Sequence, residues 1–122
     1  MNEGTAHSYF FAGVVKSPNH PRTYPNNLNK TDKVVVREGM ILSIEFEAFD
    51  VHRYSSGPDP CTEDHLTIVD GDGTILLQKT CGTSLPTSFR SRSNLVNIFF
   101  FTDSSDAANG WKMKWSATTQ GD

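Results

Sequence analysis

Acidic residues gather in two segments of this chain. Cys61-Thr62-Glu63-Asp64 puts an acid three residues after a cysteine, and Asp103 follows the apolar run at residues 94–102 in Phe101-Thr102-Asp103-Ser104-Ser105-Asp106. If those two strand ends meet, several carboxylates converge near the surface. Carboxylates so placed bind a cation, accept a basic partner, or have some of their pKa values raised. The chemistry this favours is recognition, either calcium-dependent or lysine-accepting, and not bond making.

Catalytic patterns are missing. There is no H-E-x-x-H, G-x-S-x-G or P-loop signature. The 4 histidines and many serines allow a triad on paper, but no spacing supports one, so the chain is expected not to be an enzyme. Asp70-Gly71-Asp72-Gly73 begins like an EF-hand loop. Thr74 at position five and Cys81 in place of the closing glutamate make a plain hairpin turn the better reading.

The elements that must position the acids read as strands. Residues 40–49 alternate, with Met40, Leu42, Ile44, Phe46 and Ala48 on one face and Ser43, Glu45 and Glu47 on the other. Trp111, Met113 and Trp115 alternate with Lys112 and Lys114 in the same way. Those lysines suit the solvated face of an edge strand. Residues 95–101 are apolar on both faces apart from Asn97, as in the centre of a sandwich. Residues 34–36 form a further strand ended by Glu38-Gly39, and residues 9–15 a first one. Residues 66–69 and 75–78 flank the Asp-Gly-Asp-Gly turn as a hairpin. No segment carries a helical period, so the fold class is all-β, an antiparallel sandwich. The proline- and asparagine-rich residues 13–27 make a stiff surface connection.

A chain of 122 residues suits one domain, expected over residues 9–118 with tails at 1–8 and 119–122. A net charge of −3 argues against a general nucleic-acid binder. No stretch approaches the roughly 20 apolar residues of a membrane span. Residues 1–8 are polar and lack the apolar centre of a leader. Either the chain is intracellular or Met1 heads a mature secreted domain. The two cysteines, Cys61 and Cys81, favour secretion, because they lack redox or zinc spacing. A bridge between them would contribute roughly 3 kcal/mol and persists best in an oxidising compartment. The alternative is two reduced, buried thiols. Asn29-Lys30-Thr31 is a glycosylation sequon in a polar loop.

Residues 13–117 resemble the CUB domain, an extracellular jelly-roll-like β-sandwich module. The matching pieces are Gly13, Ser17-Pro18-Asn19-His20-Pro21, Tyr24-Pro25, Gly39, Phe46 to Asp50, Cys61-Thr62-Glu63-Asp64, Asp70-Gly71, Cys81-Gly82, Thr102-Asp103-Ser104-Ser105 and Gly110-Trp111. Each is weak alone; their order and spacing together are specific. The resemblance implies a non-catalytic module for protein or carbohydrate recognition. Many such domains carry an earlier disulfide. Here Lys30 stands at its second cysteine and Asp32 replaces a nearby tryptophan, as in one-disulfide variants.

Calcium-binding members use a glutamate after the Phe-Asp-x step, an aspartate in Cys-x-x-Asp, and a later loop aspartate. By that resemblance the metal ligands here are Asp64, Asp103, Asp106 and the Ser105 carbonyl, while His52 occupies the glutamate position. Neutral imidazole replaces carboxylate poorly towards Ca²⁺. Asp106, standing where asparagine is common, keeps the local charge. One alternative is a metal-free site in which protonated His52 pairs with Asp64 or Asp103 as a pH-sensitive latch. Another is a transition-metal site using His52 and His65, although alternation turns His65 away from Asp64.

The partner so implied is a protein offering an exposed lysine or arginine to Asp64 and Asp103, with Tyr54 packing along its stem. The ion would fix the acceptor beforehand and lower the entropic cost of binding. The rivals are glycan binding without a metal and a self-assembling module that pairs by sheet edges.

Overall fold

The structure, a computed structural model, describes residues 10–53 and 61–119. Among these the chain forms strands β1 (Ala12–Lys16), β2 (Asn29–Val35), β3 (Met40–Asp50), β4 (His65–Asp70), β5 (Ile75–Thr80), β6 (Phe89–Arg90), β7 (Leu95–Phe101) and β8 (Gly110–Thr119). They make two four-stranded sheets, ordered β1-β8-β3-β6 and β2-β7-β4-β5, with every pairing antiparallel. The all-β sandwich read from the alternating pattern is the architecture found. No described residue lies in a helix, so none is long and apolar enough to cross a membrane.

The alternation explains the core. Leu42, Ile44 and Phe46 of β3 and Trp111 and Met113 of β8 face Leu66, Ile68, Val96, Ile98 and Phe100 of the other sheet. All are buried, and burying a large apolar side chain contributes roughly 1.5–3 kcal/mol. The inward face of β3 does not continue through Ala48 as its alternation predicts. The register shifts between Phe46 and Ala48, and Phe49 and Val51 are buried beyond that point. A bulge adds a residue to one strand and exchanges the faces after it.

Lys112 and Lys114 do not mark an edge, because β8 lies between β1 and β3. Their ammonium groups meet β3 carboxylates instead: Lys112 Nζ is 3.4 Å from Glu47 Oε1, and Lys114 Nζ 3.5 Å from Glu45 Oε1. Such cross-strand charge pairs let an interior strand keep a wet outer face. The first strand starts at Ala12, later than expected, and β2 reaches back from the valines to Asn29. Asn29 therefore opens a strand and does not sit in a loop.

Two glycines hold elements close. Gly110 has φ of 92°, and a Cβ there would collide with Ser17 Oγ, which accepts from the Trp111 amide at 3.0 Å. A Cβ on Gly13 would lie 2.7 Å from the Trp115 indole, which covers it across the β1–β8 ladder. At one end of the sandwich, Asp70 is buried and accepts from Ser93 Oγ at 2.6 Å, the Ser93 amide at 3.2 Å, and the Arg92 amide. This ties the Asp70-Gly71-Asp72-Gly73 turn to the segment entering β7. The other end carries the acids.

Candidate functional site

Four loops meet at that other end: residues 17–28, the exit of β3, the entry to β4, and residues 102–109. The first is laced to the last by backbone bonds, Tyr24 N to Ala108 O at 3.1 Å and Asn27 N to Asp103 O at 2.7 Å. Thr102 Oγ1 accepts from the Leu28 amide at 2.8 Å and donates to Pro25 O at 2.9 Å. The β3 exit joins the segment after β5 through paired Val51–Gly82 backbone bonds of 3.0 and 2.8 Å. Beside it the Cys61–Cys81 disulfide anchors the entry to β4.

Asp64 is fully buried at the centre of these loops. Its Oδ2 accepts from the Tyr24 hydroxyl at 2.6 Å, and its Oδ1 from the Asp103 amide at 2.9 Å. The same Tyr24 oxygen accepts from the His52 amide at 2.9 Å. Burial pushes the Asp64 carboxyl above its usual range. The bonds from Tyr24 and the Asp103 amide oppose that, and the charge of Asp103 adds to it. Burial also raises the Tyr24 phenol, with the bond to Asp64 second. Among the described residues, the two carboxylates are thus held together with no cation paired to either. Asp103 Oδ1 in turn accepts from the Ser105 amide at 3.2 Å, which shapes the loop.

A second group adjoins in sequence. His52 Nε2 stands 3.3 Å from Glu63 Oε1, and His52, Glu63 and Asp106 bring one donor atom each within 4.8 Å of one another. Asp106 is exposed and has φ of 63°, a conformation aspartate tolerates better than most residues. A groove of about 310 Å³ opens on the side of His52 bordered by Arg53, Gly82 and Ser84, and neither Glu63 nor Asp106 lines it.

The structure therefore brings Asp64 to the backbone and charge of Asp103, and brings Asp106 to His52. It pairs His52 with Glu63 and not with Asp64 or Asp103. His65 points elsewhere, stacked on Phe101 with ring centroids 5.2 Å apart, so it does not join the group around His52. Tyr54 lies outside the described residues.

Two contributors were missed from the sequence. Tyr24 sat in a loop whose prolines and asparagines read as surface, yet it is buried and packs edge-on to Phe100 at 5.0 Å. The available signal was an aromatic residue in an otherwise polar loop. Glu63 stands outside the ligand set that the resemblance implies; β4 begins only at His65, which leaves Glu63 in the loop against His52.

Residues 8–115 match the sequence profile described as the CUB domain. Over 105 residues, 86% of this chain, it is 35% identical to cubilin of Rattus norvegicus, spanning 3% of that protein. It is 37% identical over 109 residues to neuropilin-1 of Homo sapiens, 86% of this chain and 12% of neuropilin-1. It is also 37% identical over 108 residues to an astacin-like metalloendopeptidase of Gallus gallus, 86% of this chain and 25% of the enzyme. The chain thus spans only a small part of these relatives. Among solved structures, the CUB1-EGF-CUB2 domain of human MASP-1/3 superposes with a TM-score of 0.80 at 28% identity, covering 89% of this chain and 40% of that one. The MASP-1 CUB2 domain bound to Ca²⁺ gives 0.80 at 25% identity, covering 88% and 94%. A match that runs from ahead of β1 into β8 and takes in both sheets makes this chain a member of the CUB domain family.

Proposed function

We propose that this chain is a non-catalytic, extracellular recognition module that receives a basic side chain of a protein partner at its acidic loops, which Ca²⁺ orders. The observation that carries this reading is Asp64, buried and oriented by Tyr24 and the Asp103 amide while the Asp103 charge pushes against it. Holding like charges together is costly unless a cation joins them.

The donor chemistry fits a hard cation. Asp64, Asp103, Asp106 and the Ser105 carbonyl all offer oxygen, as Ca²⁺ prefers, although the donor atoms already within 4.8 Å of one another are those of Asp106, Glu63 and His52. Each Asp64 oxygen accepts one hydrogen bond, and a carboxylate has about four lone-pair sites, so both oxygens retain capacity. When bound, the ion neutralises the acids and fixes the 103–106 loop. The chain's own residues then do the recognition: Asp103 and Glu63, both partly exposed, face solvent as acceptors for an ammonium or guanidinium group. The calcium-bound MASP-1 CUB2 relative supports this reading.

A metal-free recognition surface is the second reading, and one observation favours it. The His52–Glu63 contact already gives one acid a partner. Calorimetric titration of chelator-stripped protein with Ca²⁺ near neutral pH separates the two. One-site heat that disappears in Asp103→Ala supports the ion; no heat at millimolar Ca²⁺ leaves the metal-free surface.

A further inference from the structure

The outer face of the β2-β7-β4-β5 sheet carries exposed large apolar side chains among short polar ones. Val35, Ile75, Phe99 and Phe101 are 38%, 54%, 41% and 37% exposed. The ladders place them together. Asn29, Phe101 and His65 lie in one cross-strand row, Thr31, Phe99 and Thr67 in the next, and Lys33, Asn97 and Val69 in the third. Phe100, Ile98 and Val96 point into the core, so these rows point outward. Across the three rows Lys33 is the one lysine, arginine or acid.

A glycosylation sequon lies at the edge of this face. Asn29 and Thr31 are the first and third residues of the sequon Asn29-Lys30-Thr31, both are exposed, and β2 is an edge strand. Directly paired residues hold their Cβ atoms about 4.5–5.5 Å apart, so a group on the Asn29 amide begins beside the Phe101 ring. His65 stacks on one face of that ring, with centroids 5.2 Å apart and an interplanar angle of 19°, in the same cross-strand row as Asn29.

We propose that Asn29 carries an N-linked glycan whose first sugars lie over Phe101 and Phe99 and shield this face. The C–H face of a pyranose is apolar and meets the electron-rich face of an aromatic ring favourably. The attachment is a glycosyl transfer from a lipid-pyrophosphate-linked oligosaccharide. Asn29 Nδ2 bonds to C1 of the reducing sugar, the C1–O bond to pyrophosphate breaks with its electron pair leaving on the lipid pyrophosphate, and one amide proton passes to a base of the transferring enzyme. The donor is found in the secretory pathway, so the inference rests on the extracellular part of the proposed function. It does not depend on Ca²⁺ or on the acidic loops.

The test is expression of the chain through a eukaryotic secretory pathway behind a cleaved leader, alongside Asn29→Gln, Thr31→Ala, Thr31→Ser and Phe99→Ser/Phe101→Ser variants. Intact mass before and after enzymatic deglycosylation should show a glycan on the wild type and on Thr31→Ser, and none on Asn29→Gln or Thr31→Ala. Asn29→Gln should bind several-fold more of an apolar-surface dye, and adding the two serine substitutions should reverse that gain. Sugar protons of the wild type should be shifted upfield by ring currents, and the shift should vanish in the double serine variant. An unmodified Asn29 in secreted wild type, or a glycan whose loss leaves dye binding unchanged, overturns the proposal. An unmodified wild type that sediments as a dimer, returning to monomer in the double serine variant, overturns it in favour of a second copy on this face. Ca²⁺ titration of the same samples reports on the acidic loops separately, so failure there leaves the glycan result standing.

Discussion

Tyr24 and Asp64 are 40 residues apart in sequence and share a hydrogen bond of 2.6 Å in the interior. The phenol oxygen does two things at once, donating to the carboxylate and accepting from the His52 amide at 2.9 Å. One hydroxyl thus connects three of the four loops that build the acidic end. Tyr24→Phe keeps the ring packed on Phe100 and leaves both polar partners unmatched. A buried group left without its partner costs about 1–3 kcal/mol. The variant should lose about 2–3 kcal/mol in urea unfolding and bind Ca²⁺ more weakly. An unchanged midpoint would mean that water replaces the hydroxyl.

The pH dependence of stability without Ca²⁺ follows from Asp64. Its carboxyl is raised by burial and by Asp103, so between its ordinary value near 4 and its folded value the native state holds the extra proton. Stability from this group is then greatest at low pH and declines as pH rises through the folded pKa. Asp72 has the opposite sign: its carboxyl is lowered by bonds from Thr74, so its contribution is lost as pH falls. Comparing wild type with Asp64→Asn cancels the other acids. In chelator, the variant should gain on wild type as pH rises from 4 to 7, and saturating Ca²⁺ should reverse that gain. Parallel curves in chelator would rule out the strained carboxylate.

The sandwich was legible because period-two alternation in β3 and β8 reports directly on which residues face the core. The bulge after Phe46 was not, since adding one residue leaves no mark in composition and only pairing with β8 reveals it. The same contrast holds at the site. Asp64 and Asp103 could be named from their positions at the strand ends. The sequence could not say that His52 would face Glu63, because that depends on how the β3 exit and the β4 entry are tied at Val51–Gly82 and Cys61–Cys81. Tyr24 shows the limit most clearly: its loop reads as surface, and burial arises from loops that meet only after the two sheets pack.

The Cys61–Cys81 bridge closes a separation of 20 residues that includes the entry to β4 and the whole β4–β5 hairpin. Removing such a link costs roughly 3 kcal/mol through the unfolded chain. The Cys61→Ser/Cys81→Ser variant should melt about 10 °C lower. It should also lose Ca²⁺ affinity, because Asp64 lies three residues from the anchor. A fall in melting temperature with calcium binding intact would confine the bridge to stability.

Asp70 supplies the control. It sits at the opposite end of β4 from Asp64, about 20 Å away at the rise of an extended strand. Asp70→Ala removes the acceptor of the Arg92 and Ser93 amides and leaves Ser93 Oγ with only Leu95 O. Unfolding stability should drop by about 3 kcal/mol. The calorimetric Ca²⁺ isotherm, measured well below the melting point, should match wild type. A weakened isotherm here would show that calcium affinity follows global stability, and would remove the force of every loss seen in the acidic loops.

His52→Glu tests the most unusual residue of the site in the direction of gain. The imidazole stands against Glu63, so replacing it with a carboxylate exchanges a compatible pair for a repulsive one. Without Ca²⁺ the variant should be less stable than wild type by about 0.5–1 kcal/mol, as expected for partly exposed like charges. With Ca²⁺ the order should invert. A further hard oxygen ligand would strengthen Ca²⁺ binding at the site proposed for Asp64, Asp103 and Asp106, and affinity should rise about tenfold, or about 1.4 kcal/mol. Unfolding in chelator and in millimolar Ca²⁺, with calorimetry on both proteins, reads the two effects separately. Destabilisation in chelator with no gain in affinity would place residue 52 outside the ion's reach and leave His52 as the partner of Glu63 alone.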